Sequence, residues 1–304
     1  MQRFILVRVI QGIITLIVIS VLVFSAARLT GDPRDMLLPI EATEADYERV
    51  GKALGLDKPL PVQYFTFVGN LIQGDFGVSI RTRQPVIDLI AQRLPNSVKL
   101  ATFAMLIAIL MGFPLGVLAA VKKGKGIDYL AQIVSVGGQA TPSFWLGIML
   151  ILLFAVKLNW LPPFGAEGFT SYILPGFTMG WIATAGITRL VRSSMLEVLD
   201  SEFVKLARIK SVPERTIIWK HCLRNALIPV VTFMGFWFAM ILSMAVVVET
   251  VFAWPGVGRL GYEGVIWRDY PVVQGVVMVI AVSVIVINLF VDILYAYIDP
   301  RVRY

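Results

Sequence analysis

Two acidic residues stand inside long apolar runs of this chain, Glu249 in the run 229–252 and Asp292 in the run 273–296. A carboxylate in hydrocarbon costs several kcal/mol unless it is paired or hydrated. Each is therefore a candidate either for contact with a transported solute or for a structural or interfacial role. Both lie toward the ends of their runs, where side chains reach interfacial water, and this favours the second role. Gln139 and Asn288 are weaker polar candidates of the same kind. His221 is the only histidine and Cys222 the only cysteine. Metal sites need several such ligands, so both read as ordinary helix residues, no metal ligand is assigned, and no disulfide within the chain can form. Gly256-Val-Gly-Arg-Leu-Gly261 has the G-x-G-x-x-G spacing that cradles a pyrophosphate when a strand precedes it. Here it follows an apolar run, beside Trp254-Pro255 and with no βαβ unit, so it reads as a turn-rich loop. No G-x-x-x-x-G-K-S/T occurs. If ATP drives this protein, the phosphates are held by another chain, and no catalytic residue is assigned.

The densest patterned chemistry runs from Asp200 to Pro229, a charged stretch between two apolar runs. Asp200 or Ser201 can cap a helix on which Phe203, Leu206 and Ala207 share one face, while Lys205 and Arg208 point elsewhere. Ser211-Val-Pro-Glu214 reads as a capping box that opens a second helix toward Arg224. Such a pair either presses an apolar ridge into a groove of a partner protein or lies on lipid headgroups with help from its basic residues. The physics of the loop alone leaves both readings open.

The elements that must position these residues are membrane spans. The chain is 57% hydrophobic and 15% charged, with a mean hydropathy of +0.78 over 304 residues, far beyond what a water-soluble core needs. Runs of about 20 apolar residues match a hydrocarbon core of about 30 Å. Six occur, near 9–29, 98–121, 129–156, 173–195, 229–252 and 273–296. The third is too long for a straight span, and Gly137, Gly138 and Pro142 predict a tilt, a kink or a start outside the membrane. Arg3 and Arg8 before the first run, with Ser25 and Ala27 as small residues toward its end, would also suit a cleaved signal peptide. Its apolar stretch exceeds the usual signal length and five more runs follow, so an uncleaved helix is expected.

Basic residues sort to one side of these spans. With the N-terminus in the cytoplasm, Arg3, Arg8, Lys122, Lys123, Lys125, the basic residues from Arg189 to Arg224, Arg301 and Arg303 all share that side, as the positive-inside rule requires. The net charge of +7 thus reports topology, and binding of nucleic acid is not expected. The segment between the first two runs carries turn and helix-start signals at Gly31-Asp32-Pro33, Pro59-Leu60-Pro61 and Gly74-Asp75-Phe76-Gly77. Short helices are expected from Thr43 to Leu54 and from Pro85 to Leu94.

The loop resembles the cytoplasmic EAA loop of ABC-importer permease subunits, in particular the dipeptide, oligopeptide and nickel branch. That branch reads E-Y/F-V-x-x-A-R-x-K-G and then R-N-A-L/M/I-I/L-P. Glu202-Phe203-Val204, Ala207-Arg208, Lys210 and Arg224-Asn225-Ala226-Leu227-Ile228-Pro229 match it. The likeness covers essentially the whole chain. It includes Leu54-Gly-Leu-Asp-Lys-Pro-Leu60, Gly74-Asp-Phe-Gly77, Pro142-Ser-Phe144, Val248-Glu-Thr-Val-Phe252, Trp254-Pro-Gly-Val-Gly258, Arg268-Asp-Tyr-Pro271, Asn288-Leu-Phe-Val-Asp292 and Asp299-Pro300. The departures are Ser211 in place of the loop glycine, and Lys205 and Leu206 in place of the first two letters of the EAA pattern.

The resemblance implies an all-α membrane protein of six transmembrane helices with the type I ABC importer fold. Its parts would be an N-terminal helix (1–30), an external segment (31–95), a transmembrane core (96–296) with the coupling loop at 197–228, and a cytoplasmic tail (297–304). It implies a location in the cytoplasmic (inner) membrane of a bacterium or archaeon with both termini in the cytoplasm. It further implies a second homologous permease, two ATPase subunits that bind ATP and Mg, and an external solute-binding protein. Glu202, Phe203, Lys205, Leu206, Ala207, Arg208, Lys210 and Ser211 become the expected coupling residues. Peptides are the expected cargo, with nickel chelates, glutathione or another small solute as alternatives. A non-transporting membrane scaffold and an ion-coupled carrier are the competing classes; the carrier predicts acids near the bilayer midplane.

Overall fold

Backbone placed in hydrocarbon must satisfy its own hydrogen bonds, and this chain does so with helices. The computed structural model describes residues 2–29, 31–39 and 41–298. The elements are α1 (Gln2–Leu29), α2 (Arg34–Leu37), α3 (Glu44–Ala53), α4 (Leu60–Ile72), α5 (Val86–Val121), α6 (Gly126–Ala140) and α7 (Ser143–Leu150), which runs on as π-helix over Ile151–Lys157. They continue with α8 (Thr170–Leu199), α9 (Glu202–Ile209), α10 (Glu214–Thr216), a π-helical stretch over Ile217–Cys222, α11 (Leu223–Val251), α12 (Val257–Ile266) and α13 (Tyr270–Ile298). Asp299-Pro300, Arg301 and Arg303, invoked for motif and topology, lie outside the described residues.

Among the described residues, four stretches are long and apolar enough to cross a bilayer: Ile5–Leu29, Val86–Val121, Pro229–Val251 and Tyr270–Ile293. The pair Gly126–Ala140 and Ser143–Lys157, bent by 106°, is apolar enough together and makes a fifth if it crosses as one broken span. The bend falls where the sequence predicts it. Pro142 offers no N–H, and the residue before a proline avoids the helical region; Thr141 is extended, at φ −86° and ψ 118°. The run at 173–195 lies in α8, which carries Thr178, Thr184, Thr188, Arg189 and Arg192 and is not apolar enough to count by composition. Its burial explains this: Thr178, Thr184 and Thr188 are enclosed by protein, and a helix that faces protein needs no lipid-compatible surface. Their hydroxyls donate to the carbonyls of Leu174, Gly180 and Thr184 at 2.8, 2.9 and 2.8 Å.

The core forms where α5 and α8 press together, joined by α11. Leu100, Ala104 and Ala108 of α5 meet Ala183, Ile187 and Val191 of α8 and Ile241, Ala245 and Val248 of α11. Small residues permit the approach, as they do between membrane helices generally. A Cβ on Gly112 or Gly116 would lie 2.8 Å from the carbonyl oxygen of Thr184 or Thr188.

One expectation about the external segment changes. The patch at Pro85–Leu94 and the run at 98–121 are one helix, α5, which passes unbroken through the expected boundary at 95/96. Of the turn and helix-start signals, Pro59-Leu60-Pro61 is a helix start, because the first turn is where a helix tolerates proline; α4 follows. The helix expected from Thr43 is α3, with a full capping box between Thr43 and Asp46. Arg268-Asp269-Tyr270 clasps the segment to the bundle. Arg268 pairs with Asp35 at 2.6 Å. Asp269 accepts from Ser79 Oγ at 2.6 Å and from the Ile80 and Arg81 amides at 3.1 and 3.2 Å, and the Tyr270 hydroxyl donates to the Gly31 carbonyl at 2.5 Å.

Candidate functional site

The loop between α8 and α11 is rooted in the core. Val204 on α9 is fully buried with Ile217 and Cys222, in the cluster that holds Met195 of α8. The opposite face is open: Phe203 is 46%, Leu206 53% and Ile209 80% exposed. Ala207 is half-turned toward the core, so the free ridge is Phe203, Leu206 and Ile209 rather than the expected Phe203, Leu206 and Ala207. Glu202 and Lys205 pair across one turn at 2.8 Å.

The predicted caps take different forms. Ser201 occupies the N-cap position of α9, but its hydroxyl donates back to the Val198 carbonyl at 2.5 Å. The capping box at Ser211 does not form. Pro213 is the N-cap of α10, and Glu214 instead accepts from Arg208 at 2.7 Å, raising the pKa of that guanidinium. Ser211 closes α9. Its amide donates to the Arg208 carbonyl at 2.9 Å and the Val212 amide to that of Ala207 at 3.1 Å, the paired bonds of a Schellman motif, with Lys210 as C-cap. The residue after such a cap is left-handed, and Ser211 has φ 55°. The loop glycine of the resembled branch has its physical reason here, and Ser211 accepts the strain that a glycine avoids. From Glu214 the chain stays helical through the π-helical stretch into α11, with Cys222 buried. Burial raises the Cys222 thiol pKa, and the Arg208 charge opposes this only in part.

The two acids of the apolar runs have separate structural partners. Glu249 is fully enclosed. Its carboxylate accepts from Ser97 Oγ at 2.5 Å and from the Arg259 amide at 3.0 Å, while Ser97 Oγ accepts from the Val257 amide at 2.8 Å. Glu249 thereby caps the N-terminus of α12 from a neighbouring helix, where amides and dipole favour an anion. The Gly256–Gly261 stretch is accordingly a helix start rather than a turn-rich loop. Gly256 and Gly258 are required by crowding, since a Cβ on the first would collide with the Glu249 carboxylate and one on the second would lie 2.8 Å from Val246 Cα. The Trp254 indole completes the joint by donating to the Asn96 carbonyl at 3.2 Å. Asp292 pairs with Arg8 at 2.9 Å, tying α13 to α1.

Sequence reasoning missed one further pair. Asp128 at the start of α6 is buried and accepts from Arg192 Nε and Nη2 of α8 at 2.5 and 3.0 Å and from the Gly124 amide at 2.9 Å. Only Asp128's place beside the basic loop at Lys122–Lys125 hinted at a partnered acid. Gln139 lies within 3.2 Å of Arg189, which donates to it.

The arrangement is a helical bundle with a bent helix pair, whose buried central helix α8 runs into a projecting two-helix loop. The chain belongs to the family described as binding-protein-dependent transport system inner membrane components, which matches residues 112–304, with the N-terminal component of the same systems matching 1–101. It is a permease subunit. It is 42% identical over 305 residues to the glutathione transport system permease protein GsiC of Escherichia coli strain K12, with all of both chains covered. The GsiC of Shigella flexneri serotype 5b is equally similar, at 42% with full coverage. Among solved structures, the fold is similar to the MetNI methionine ABC transporter in an inward-facing conformation, with TM-score 0.60 and 19% identity over 70% of this chain and 97% of that one. A crystal structure of an amino acid ABC transporter with histidines is also similar, with TM-score 0.55 and 16% identity over 71% and 95%.

Proposed function

We propose that this chain forms half of a pathway for small peptides, with a second homologous permease supplying the other half. Two cytoplasmic ATPase subunits hold ATP and Mg and dock on the two coupling loops, and an external solute-binding protein delivers the cargo. In this reading α8 counts as a span, giving six, and both termini are cytoplasmic, as the distribution of Lys and Arg requires. The parts are the N-terminal helix 1–30, the external segment 31–95, the core 96–296, the loop 197–228 and the tail 297–304, with external segment and core joined inside the continuous helix α5.

The observation that carries the proposal is the two-faced α9. Phe203, Leu206 and Ile209 stand free while Val204 is anchored among residues of α8 and α11. A displacement of the ridge by an ATPase is transmitted to the core helices through Val204 and Ile217, because packed cores shift between discrete arrangements rather than deform smoothly. Glu202, Lys205, Arg208, Lys210 and Ser211 hold the ridge in place through the ion pairs and the Schellman closure. Alternating access follows from closure and release of the ATPases. Glu249 and Asp292 serve this machine as joints between helices, which counts against an ion-coupled carrier. The 42% identity to a permease named for glutathione favours peptides of that size and polarity over nickel chelates. Uptake of radiolabelled glutathione and of neutral tripeptides by proteoliposomes holding the whole complex tests this. ATP-dependent uptake of either supports the reading; uptake of a chelated metal alone refutes the cargo.

A further inference from the structure

The segment between α1 and α5 reads as external, yet α4 is built for lipid. Leu60–Ile72 contains no charged residue. At 3.6 residues per turn it presents three faces. Tyr64, Phe67 and Leu71 turn inward: Tyr64 and Phe67 pack on Phe24 of α1, and Phe67 and Leu71 on the cluster of Val23, Val273 and Met278. Gln63, Thr66 and Asn70 form a polar edge along a cavity of about 250 Å³ that Arg28, Lys58 and Asp75 also line. Val62, Phe65 and Ile72 turn outward and are 46%, 70% and 81% exposed. A helix surrounded by water would not leave such a face bare between two apolar contacts.

Its level decides the occupant. The Tyr64 hydroxyl lies 2.9 Å from Ser20 Oγ of α1. The apolar stretch of α1 is 25 residues long, or ~37 Å, so centring it in a ~30 Å core puts Ser20 about 10 Å below the hydrocarbon surface at the Leu29 end. Tyr64 reaches down to that depth, while Gln63 donates to the Leu56 and Lys58 carbonyls and accepts from Arg28 at the rim. Val18, Val21 and Leu22, on the side of α1 away from Ser20 and Phe24, are likewise 51%, 45% and 61% exposed, as a span that faces acyl chains leaves its outer side. We propose that α4 lies in the plane of the bilayer, in the leaflet at the Leu29 end of α1, with Val62, Phe65 and Ile72 among acyl chains and the Gln63–Thr66–Asn70 edge toward water. This is the arrangement of an interfacial amphipathic helix. It rests on α1 spanning the bilayer and is independent of the coupling assignment.

Spin labels at Phe65→Cys and Ile72→Cys, each in a Cys222→Ser background and in the assembled complex in phospholipid nanodiscs, test it. Collision with oxygen should exceed collision with a water-soluble nickel chelate several-fold at both sites, as at a reference Val21→Cys on α1, and the order should reverse at Asp46→Cys on α3. Preferential collision with nickel at 65 and 72 would place α4 in water and overturn the inference. Protection from both reagents would also overturn it, by showing a protein such as the second permease on this face. A Val21→Cys label that favours nickel would remove the span on which the inference stands, whatever the coupling loop does.

Discussion

Replacing Glu249 separates its role as an acceptor from any role as a charge. The carboxylate is fully enclosed and receives the Ser97 hydroxyl and the Arg259 amide. Alanine leaves both donors facing a void. Each unsatisfied buried group costs about 1–3 kcal/mol, and the lost volume adds to that, so Glu249→Ala should destabilise the chain by about 3–5 kcal/mol. Glutamine is nearly isosteric. Its carbonyl oxygen can keep the Arg259 amide, and its amide group can donate to Ser97 Oγ, which rotates to accept. What is lost is the anion at the α12 N-terminus, worth about 1 kcal/mol. Thermal unfolding of purified variants in detergent should therefore rank wild type, Gln and Ala in that order, with Gln close to wild type. Vesicle uptake by Glu249→Gln should remain near normal. If Gln is as unstable as Ala, the acceptor geometry is wrong. If Gln folds normally yet abolishes uptake, the charge itself takes part in transport and the carrier reading returns.

Single cysteines at Lys123 and Lys210, in a Cys222→Ser background, should resist an impermeant thiol reagent in intact cells while one at Asp46 reacts; external labelling at 210 would invert the topology. The native Cys222 thiol, its pKa raised by burial, should alkylate slowly even as pH rises through the ordinary thiol range of about 8.5, because only the thiolate attacks. Denaturation should restore fast reaction, and rapid alkylation of the folded protein at neutral pH would contradict the burial. Ser211→Gly should stabilise the loop by about 1 kcal/mol by relieving the left-handed strain, measured as slower proteolysis between α9 and α11; unchanged or faster cleavage would show that Ser211 is not strained.

Legibility followed the physics of each element. The apolar runs and the Pro142 bend were readable because hydrocarbon imposes length and composition, and proline imposes a break. The short helix from Thr43 was readable because its spacing is local, although its capping box was not read. The box at Ser211 failed for the opposite reason: the same S-x-x-E spacing serves a helix end when Arg208 competes for Glu214, and sequence spacing does not say which side of Ser211 the backbone will close. Gly256 looks like a turn residue, yet it precedes a helix because Glu249 on α11 satisfies the helix start. Glu249 was identified as a site but its partner Ser97 was not, since nothing in one sequence reports a contact between α5 and α11. The ridge was legible as a face, but the fold moved its edge from Ala207 to Ile209 by burying Val204 beside Ala207.

The central claim is that the free face of α9 couples this permease to an ATPase. Leu206→Glu is the cleanest probe, because Leu206 is 53% exposed while Ala207 also packs inward. Burying Phe203, Leu206 and Ile209 against a partner is worth roughly 2–4 kcal/mol, or about 30- to 1000-fold in affinity. The measurement is hydrolysis stimulated by the binding protein together with uptake, in proteoliposomes holding the whole complex, with Lys123→Glu as control. Leu206→Glu should insert normally, lose ATPase association by a factor in that range and lose stimulated uptake, while Lys123→Glu changes little. Full ATPase binding and normal uptake by Leu206→Glu, with loss in Lys123→Glu, would put the coupling surface elsewhere and return α9 to the lipid headgroups.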